Sequence, residues 1–483
     1  MMNRRVPRAS GAHAPTTVVL GGGLTGMLAA AVLAAHAEVQ IVERDLLPTA
    51  PAPRKGLPQA QHAHLLWSGG ARTIESLLPG ITQRWLAAGA RRIPLPTGLV
   101  SLTAAGWLRR WPEMQYLIAC SRDLLDWGVR QQVLAHPGIR VLSGSEPVGL
   151  SGSAGRVTGV HVRDNATGDV RQLDADLVLD ATGRGSAATA WLAALGLSPV
   201  PEEHVDSGLA YATRIFQAPA GTAHWPVVNV QSDARVPVPG RTATLVPIED
   251  ARWLVTLSGT RGGQPSREAD AFLPFARTVR HPVVADLLAD AEPLTDVRLS
   301  RSTVNRRRRF DLLRTWPRGF AVLGDAVATY NPLYGQGMSV AAQEAAALRD
   351  ALNRYGLAAP DLARRLQRTV GRLTQAPWAM ATGQDILYPG AIGPQPPAAT
   401  RLLRGYTDRL LKTATGDPAV TRALLDVMTL SAPLQRLLRP DVAARVLLGP
   451  VQPPLAKPPL NLPAQRVASS RSRQSATDDG ASS

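Results

Sequence analysis

Lysine is almost missing from this 483-residue chain. It occurs only at Lys55, Lys412 and Lys457, so arginine carries nearly all of a formal net charge of +16. The arginines are scattered, aromatic residues make up only 5% of the chain, and no nucleic-acid motif accompanies them. That pattern argues against a dedicated nucleic-acid reader. It leaves salt-sensitive attraction to anionic surfaces as the physical consequence of the charge. Cysteine is scarcer still. The single Cys120 excludes an intramolecular disulfide. It follows the apolar run Tyr116–Ala119, reads as a small core residue, and fits a reducing cytoplasm. Long hydrophobic runs are absent as well. The most apolar N-terminal stretch is broken by glycines and is too short to span a bilayer. Arg4-Arg5, that stretch and Ala35-His36-Ala37 imitate a secretory leader, but cleavage after Ala37 would cut a paired strand.

What is present begins at Thr16–Asp45. A β-branched run, Thr16–Leu20, precedes Gly21-Gly22-Gly23-Leu24-Thr25-Gly26. A small-residue helix follows, then a second strand, Val39–Val42, ending in Glu43. Strand, glycine turn, helix, strand and acid make up the dinucleotide fingerprint. Gly21 permits the tight turn, Gly23 lets the backbone approach a pyrophosphate, and Gly26 lets the helix pack on the strand. The helix N-terminus offers free N–H groups to phosphate. Glu43 follows Gly21 by about 20 residues, where a carboxylate reaches a ribose hydroxyl.

The chain returns to this grammar twice. Asp176–Asp180 is a buried strand that runs into Ala181-Thr182-Gly183-Arg184-Gly185-Ser186. Gly319–Leu323 is another strand, ending in Gly324-Asp325-Ala326, then Asn331-Pro332-Leu333-Tyr334-Gly335-Gln336-Gly337-Met338 and a helix from Ser339. Between them lies a different texture. Tyr211–Phe216 alternates, and Thr242–Pro247 with Trp253–Ser258 reads as a hairpin about Ile248–Arg252. The predicted fold is therefore α/β: a Rossmann-type nucleotide-binding domain, an inserted antiparallel β-sheet substrate domain and C-terminal helices. The nucleotide-binding parts are 16–92, 118–195 and 301–355. The substrate parts are 93–117 and 196–300, with a helical region over 356–450. Tails 1–15 and 465–483 read as disordered, and the stretch after Pro450 as an irregular wrap.

Other features have plainer readings. His62 and His64 lack a nearby Cys, Asp or Glu to complete a metal site, so hydrogen bonding that fixes their loop is the expected role and no metal is assigned. Arg54 and Lys55 lie where a phosphate-bearing cofactor would pass. Ser121 caps a helix whose first-turn Arg122 is electrostatically misplaced without an anion nearby. The run Arg306–Arg309 reads as a solvated face.

Three turns aimed at one elongated ligand suit FAD better than the cofactor of a simple NAD dehydrogenase, which needs only the first turn. Together, Gly21–Gly26, Asp180–Ser186 and Gly324–Met338 resemble the flavoprotein monooxygenases of the hydroxylase and squalene-epoxidase type. Within that group, Arg54–His64 with the following LLWSGGARTIESLLPG, and Val205–Arg214, resemble the flavin epoxidases of polyether-ionophore biosynthesis. The resemblance covers residues 16–345 and, loosely, the C-terminal helices. It implies that Glu43 holds the adenosine ribose, Arg44 and the Val148 backbone lie near the adenine, and Arg122 meets the ribose–pyrophosphate region. Asp325 would bind the ribityl–pyrophosphate portion. Gly335, Gln336, Gly337 and Met338 would lie beside the isoalloxazine, next to Pro332. The middle motif departs from the family: Asp180-Ala181-Thr182-Gly183 replaces a contiguous Asp-Gly. That motif is linked to nicotinamide use, so electrons are expected from NAD(P)H directly or through a separate flavin reductase.

The implied reaction is epoxidation of alkenes along an apolar linear polyene polyketide, with molecular oxygen as co-substrate and a flavin C4a-hydroperoxide as the oxygen donor. An alkene attacks that oxygen without a general base, so no catalytic acid–base residue is nominated. An aromatic hydroxylase and a geranylgeranyl-reductase-like enzyme are the nearest alternatives. A flavin halogenase lacks support, because no W-x-W-x-I-P segment occurs and Lys55 is the only lysine between the first two glycine motifs. A flavin-bound surface module would draw on the net charge and the amphipathic Leu434–Leu448.

Overall fold

The computed structural model describes residues 15–460 apart from 223, 302 and 395–397. The predicted disordered tails, save Pro15, lie outside the described residues. Five parallel strands form the first sheet, in the order 320–322, 177–180, 16–20, 38–43, 139–143. The inner strands are aliphatic and buried, as expected for a parallel sheet covered on both faces, while the edge strand 139–143 buries only Ile139 fully. Helices Leu24–Leu33, Arg122–Leu134 and Gly337–Tyr355 contribute to the same apolar core. All three glycine motifs follow strands of this sheet, so the topology brings them to one edge.

A second sheet has seven strands, in the order 298–300, 210–217, 252–259, 241–248, 227–230, 99–103, 106–107. Every pairing in it is antiparallel except that of 227–230 with 99–103. The expected hairpin is present. Its three-residue loop, Glu249 to Ala251, lies between the paired Ile248 and Arg252 and places Asp250 and Ala251 at positive φ. One face of this sheet packs on helices Ala269–Arg277 and Val283–Leu288 through Ala212, Phe216, Val255 and Leu257. The other face meets the segment 63–67.

One expectation needs correction. Arg306–Arg309 is not a solvated face. Asn305–Arg308 is a strand paired with Glu202–Val205, and Arg307 and Arg308 are buried. Their charges are matched by Glu203 at 2.6 Å and Glu202 at 3.1 Å. The amphipathic stretch Leu434–Leu448 is divided in the fold. A 3-10 turn, Leu434–Leu438, ends before Arg439, and Pro440 starts a separate helix, Pro440–Leu448, because proline suits the first helical turn and not an interior. After Pro450 the chain does wrap the molecule. Arg109 donates to the carbonyl of Pro453, Arg110 to those of Pro459 and Leu460, and Leu455 and Leu460 pack on the second core. Among the described residues no helix is long and apolar enough to cross a membrane.

Candidate active site

The three glycine loops touch one another. Gly21 has φ +96°, and a Cβ there would lie 2.6 Å from the carbonyl oxygen of Ala181, so the first loop abuts the second. A Cβ on Gly26 would lie 1.8 Å from the carbonyl oxygen of Gly21. Gly324, at φ +66°, would meet the Thr25 hydroxyl at 2.5 Å, so the third loop abuts the first. The Cβ position of Gly183 is 3.9 Å from Asp325 Cβ, which joins the second loop to the third. Gly23 and Gly337 differ from these. Nothing lies within 4 Å of a Cβ built on either. Each stands at the start of a helix, Leu24–Leu33 and Gly337–Tyr355, where an α-helix leaves its first N–H groups without intrahelical partners. An elongated anionic cofactor fits such a seat: helix-end donors at two places, each with open space at its glycine.

Polar groups fix the loops. Both carboxylate oxygens of Asp180 are used internally, Oδ1 accepting from the Thr182 N–H and hydroxyl and Oδ2 from Ser186. Asp180 therefore shapes the middle turn. Arg308 donates to the carbonyls of Ser186 and Ala326 and so ties the second loop to the third. Glu344 accepts from the Gly324 N–H at 2.5 Å, and burial pushes its carboxyl up to about 8. Asp325 is half-buried. Burial raises its pKa, while the positive charges of Arg122 and Arg184 oppose the shift. Arg122 itself donates to Asp126 at 2.7 Å, an acid one helical turn on, which answers its misplaced charge locally.

At the far end, Glu43 accepts from the Gly22 N–H at 2.6 Å and the Asp45 N–H at 2.9 Å, and pairs with Arg54 at 2.8 Å. Both side chains are buried, at 7% and 5% exposure. Arg54 also donates to the Gly22 carbonyl at 2.9 Å. The neighbouring cations differ: Lys55 and Arg44 are exposed, Arg44 with one bond to the Gly56 carbonyl. Val148 is exposed on the strand Ser145–Ser153.

The flavin-side loop, Pro332–Met338, is held from two sides. Asn331 accepts from the Leu333 N–H and from the Tyr211 hydroxyl at 2.5 Å, and donates to buried Asp385. Trp67 Nε1–H donates to the Tyr334 carbonyl, and the Gln336 amide to that of Met428. His62 and His64 do fix their loop. His62 Nδ1 lies 2.8 Å from the Thr213 hydroxyl, and His64 Nδ1 lies 2.8 Å from the His62 carbonyl. Burial lowers His62 to about 4. It lowers His64 to about 3, with nearby Arg122 adding to the shift. Both rings are neutral near pH 7.

Sequence reasoning missed Arg308, Asn331 and Asp385 as parts of this site. A signal existed for the first: the adjacent acids Glu202-Glu203 complement a four-arginine run. Nothing in one dimension linked Asp385 to Asn331.

No family model matches the chain. Its fold is that of a flavoprotein/dehydrogenase from Cytophaga hutchinsonii, with a TM-score of 0.60 and 13% identity over 89% of this chain and 96% of that one. A kynurenine 3-monooxygenase of Salinispora arenicola is 29% identical over 371 residues, 73% of this chain and 74% of the relative. Fold and loop geometry place the chain in the FAD-dependent monooxygenase superfamily. Within it, the chain belongs to the same family as protein Rv3254 of Mycobacterium tuberculosis, to which it is 32% identical over 425 residues, 84% of this chain and 88% of the relative.

Proposed function

We propose that this chain epoxidises alkenes of a linear polyene polyketide, in polyether antibiotic biosynthesis, using FAD and molecular oxygen. The observation that carries the reading is the seven-stranded sheet beside the open seat. The middle of its loop-side face carries Thr213, Thr256, Thr244 and Asn229 beside Ile215, Leu254 and Val246, with no carboxylate or lysine, and the one imidazole at its end, His62, is engaged through Nδ1 by Thr213. Asp385 is engaged by Asn305 and Asn331. An alkene needs no general base to capture an electrophilic oxygen, whereas a phenol gains from one.

Bound FAD, once reduced, supplies that oxygen from O2. The chain's residues do the remainder. The helix starting at Leu24, with Gly21, Gly23 and Gly26, would seat the pyrophosphate. Glu43, backed by Arg54, would take the adenosine ribose, with Arg44 and the Val148 backbone at the adenine. Arg122 and Asp325 would meet the ribose–pyrophosphate and ribityl portions, and Asp180 and Gly183 would shape the loop beneath. Pro332, Gly335, Gln336, Gly337 and Met338 would border the isoalloxazine, where the helix dipole favours negative charge on the reduced ring. Electrons would come from NAD(P)H directly or through a separate flavin reductase.

The test is anaerobic reduction of the purified yellow protein, then oxygenated buffer with and without a linear polyene polyketide, with spectra and product masses recorded. A polyene product carrying one added oxygen is expected. Reoxidation with no oxygen transferred to any polyene would overturn the reading. The match to kynurenine 3-monooxygenase favours an aromatic hydroxylase as the second reading, and turnover of a phenol or aniline in the same assay would select it.

A further inference from the structure

We infer that the substrate is an oxygen-bearing chain, read by a row of hydroxyl and amide side chains that crosses the seven-stranded sheet and ends at His62. This rests on the function proposed above and names what that site recognises. The register places Thr213 opposite Thr256, Thr256 opposite Thr244, Thr244 opposite Asn229 and Asn229 opposite Ser101. Directly opposed residues share a face. Five neighbouring strands thus each present a polar group at one level, spaced by about 4.8 Å, the distance between strands.

Strand propensity favours threonine, but it does not confine polar residues to one row. On the opposite face the same strands carry Ala212, Leu257, Ala243 and Val230, all packed on the helical layer. On the loop-side face, the row two residues further along is apolar, with Ile215 opposite Leu254 and Leu254 opposite Val246. The row on the other side is Tyr211, Ser258 and Thr242, and Tyr211 is bonded to Asn331 of the flavin-side loop. The face therefore grades from polar to apolar with distance from that loop. Thr213 and Thr256 are buried and bonded within the protein, so the ligand-facing part of the row is Thr244 and Asn229; a pure hydrocarbon laid there would cover the Asn229 amide without offering it an acceptor, which is unfavourable.

Two further observations point to a ligand. Thr244 and Asn229 lie on interior strands, yet both are only half-buried, and the bond joining them is long at 3.3 Å. The other end of the row is a bonded chain: the Ala63 N–H donates to Thr256, Thr256 is 2.7 Å from Thr213, and Thr213 is 2.8 Å from His62 Nδ1. Its hydrogens have two settings. In one, Thr213 donates to His62 and the ring offers Nε2–H. In the other, His62 donates to Thr213 and Thr256 keeps a free O–H. Either setting leaves one donor and one acceptor at the ends, so both a carbonyl and a hydroxyl are accommodated.

The test uses the FAD-loaded full chain and two probes with one triene skeleton, farnesol and farnesene, which differ in oxygen. Binding is read from the perturbed flavin spectrum. The parent should bind farnesol about tenfold more tightly. Thr244→Val should remove most of that preference while leaving the farnesene dissociation constant within about twofold, and Thr244→Ser should restore it. Equal affinities in the parent, or a preference that survives Thr244→Val, would overturn the row as a reader and leave the oxygenase reading standing. If neither probe perturbs the flavin or raises oxygen uptake, both the oxygenase reading and the row fall.

Discussion

The glycine-loop seat and the seven-stranded face solve opposite problems. The seat is made by leaving side chains out. Gly21 and Gly324 are places where a methyl group would strike a neighbouring loop, Gly26 one where it would strike the backbone of its own loop, and Gly23 and Gly337 places where nothing lies within 4 Å. The face is made by putting side chains in, at matched levels on five strands. The first kind of site fails by steric collision, the second by an unsatisfied hydrogen bond. Those failures differ in size and in what they disturb.

The largest expected effect sharpens this within the seat. Gly26→Ala places its Cβ 1.8 Å from the Gly21 carbonyl, a backbone atom that has no room to retreat. We expect loss of soluble, FAD-containing protein, at a cost above about 4 kcal/mol. Gly23→Ala meets no protein atom. That chain should unfold thermally like the parent apoprotein yet release FAD. Equal thermal shifts in the two variants would erase the distinction between a packing glycine and a ligand glycine.

Next is Glu43→Ala. It removes the nearer of the two carboxylates beside buried Arg54 and leaves Asp45, at 3.5 Å, as its remaining acid partner. Leaving a buried charge with no partner costs about 3–5 kcal/mol, and the surviving Asp45 contact keeps the loss here below that. FAD retention and apoprotein stability should therefore both fall, by calorimetry and by flavin absorbance after gel filtration. Unchanged occupancy would count against Glu43 as the ribose ligand.

This contrast also explains what was legible in the sequence. The seat was readable because glycine spacing after a strand is a local, backbone-level instruction: Gly21–Gly26, Gly183 and Gly324 all fell on loops that converge. The hairpin Arg241–Gly259 was readable from alternation. The polar row was not, because threonines at 213, 244 and 256 become neighbours only once register is fixed. Arg307 and Arg308 misled for the reverse reason. A run of like charges reads as solvated until a second strand brings Glu202 and Glu203 against it. Asp385 lies on a C-terminal helix whose sequence gives no sign of what Asn331 needs.

A smaller effect tests the face by pH. Burial holds His62 near 4 against an ordinary 6.5. The unfolded chain therefore binds a proton that the folded one refuses as pH falls from about 6.5 to 4, and stability drops across that window. His62→Gln should be flatter there, by up to about 3 kcal/mol at the acid end. Asp123, raised to about 6, and Glu344, raised to about 8, shift the opposite way, but both are present in parent and variant and cancel. Parallel stability curves for the two proteins would place His62 in a wetter setting than its bond to Thr213 implies.

The smallest effect separates two adjacent cations. Arg54 and Lys55 are equivalent candidates for a phosphate when seen in one dimension. In the fold Arg54 is buried between Glu43 and Gly22, while Lys55 is exposed. A lone exposed charge contributes within about 0.5 kcal/mol. Lys55→Ala should keep FAD occupancy and thermal midpoint at parental values, whereas Arg54→Ala should lower both. A Lys55→Ala protein that bleached on gel filtration would mean that the 54–57 loop closes over the cofactor when FAD binds. The adenine end of the seat would then be built partly by side chains, like the sheet, and the contrast between the two regions would hold only for the pyrophosphate and flavin ends.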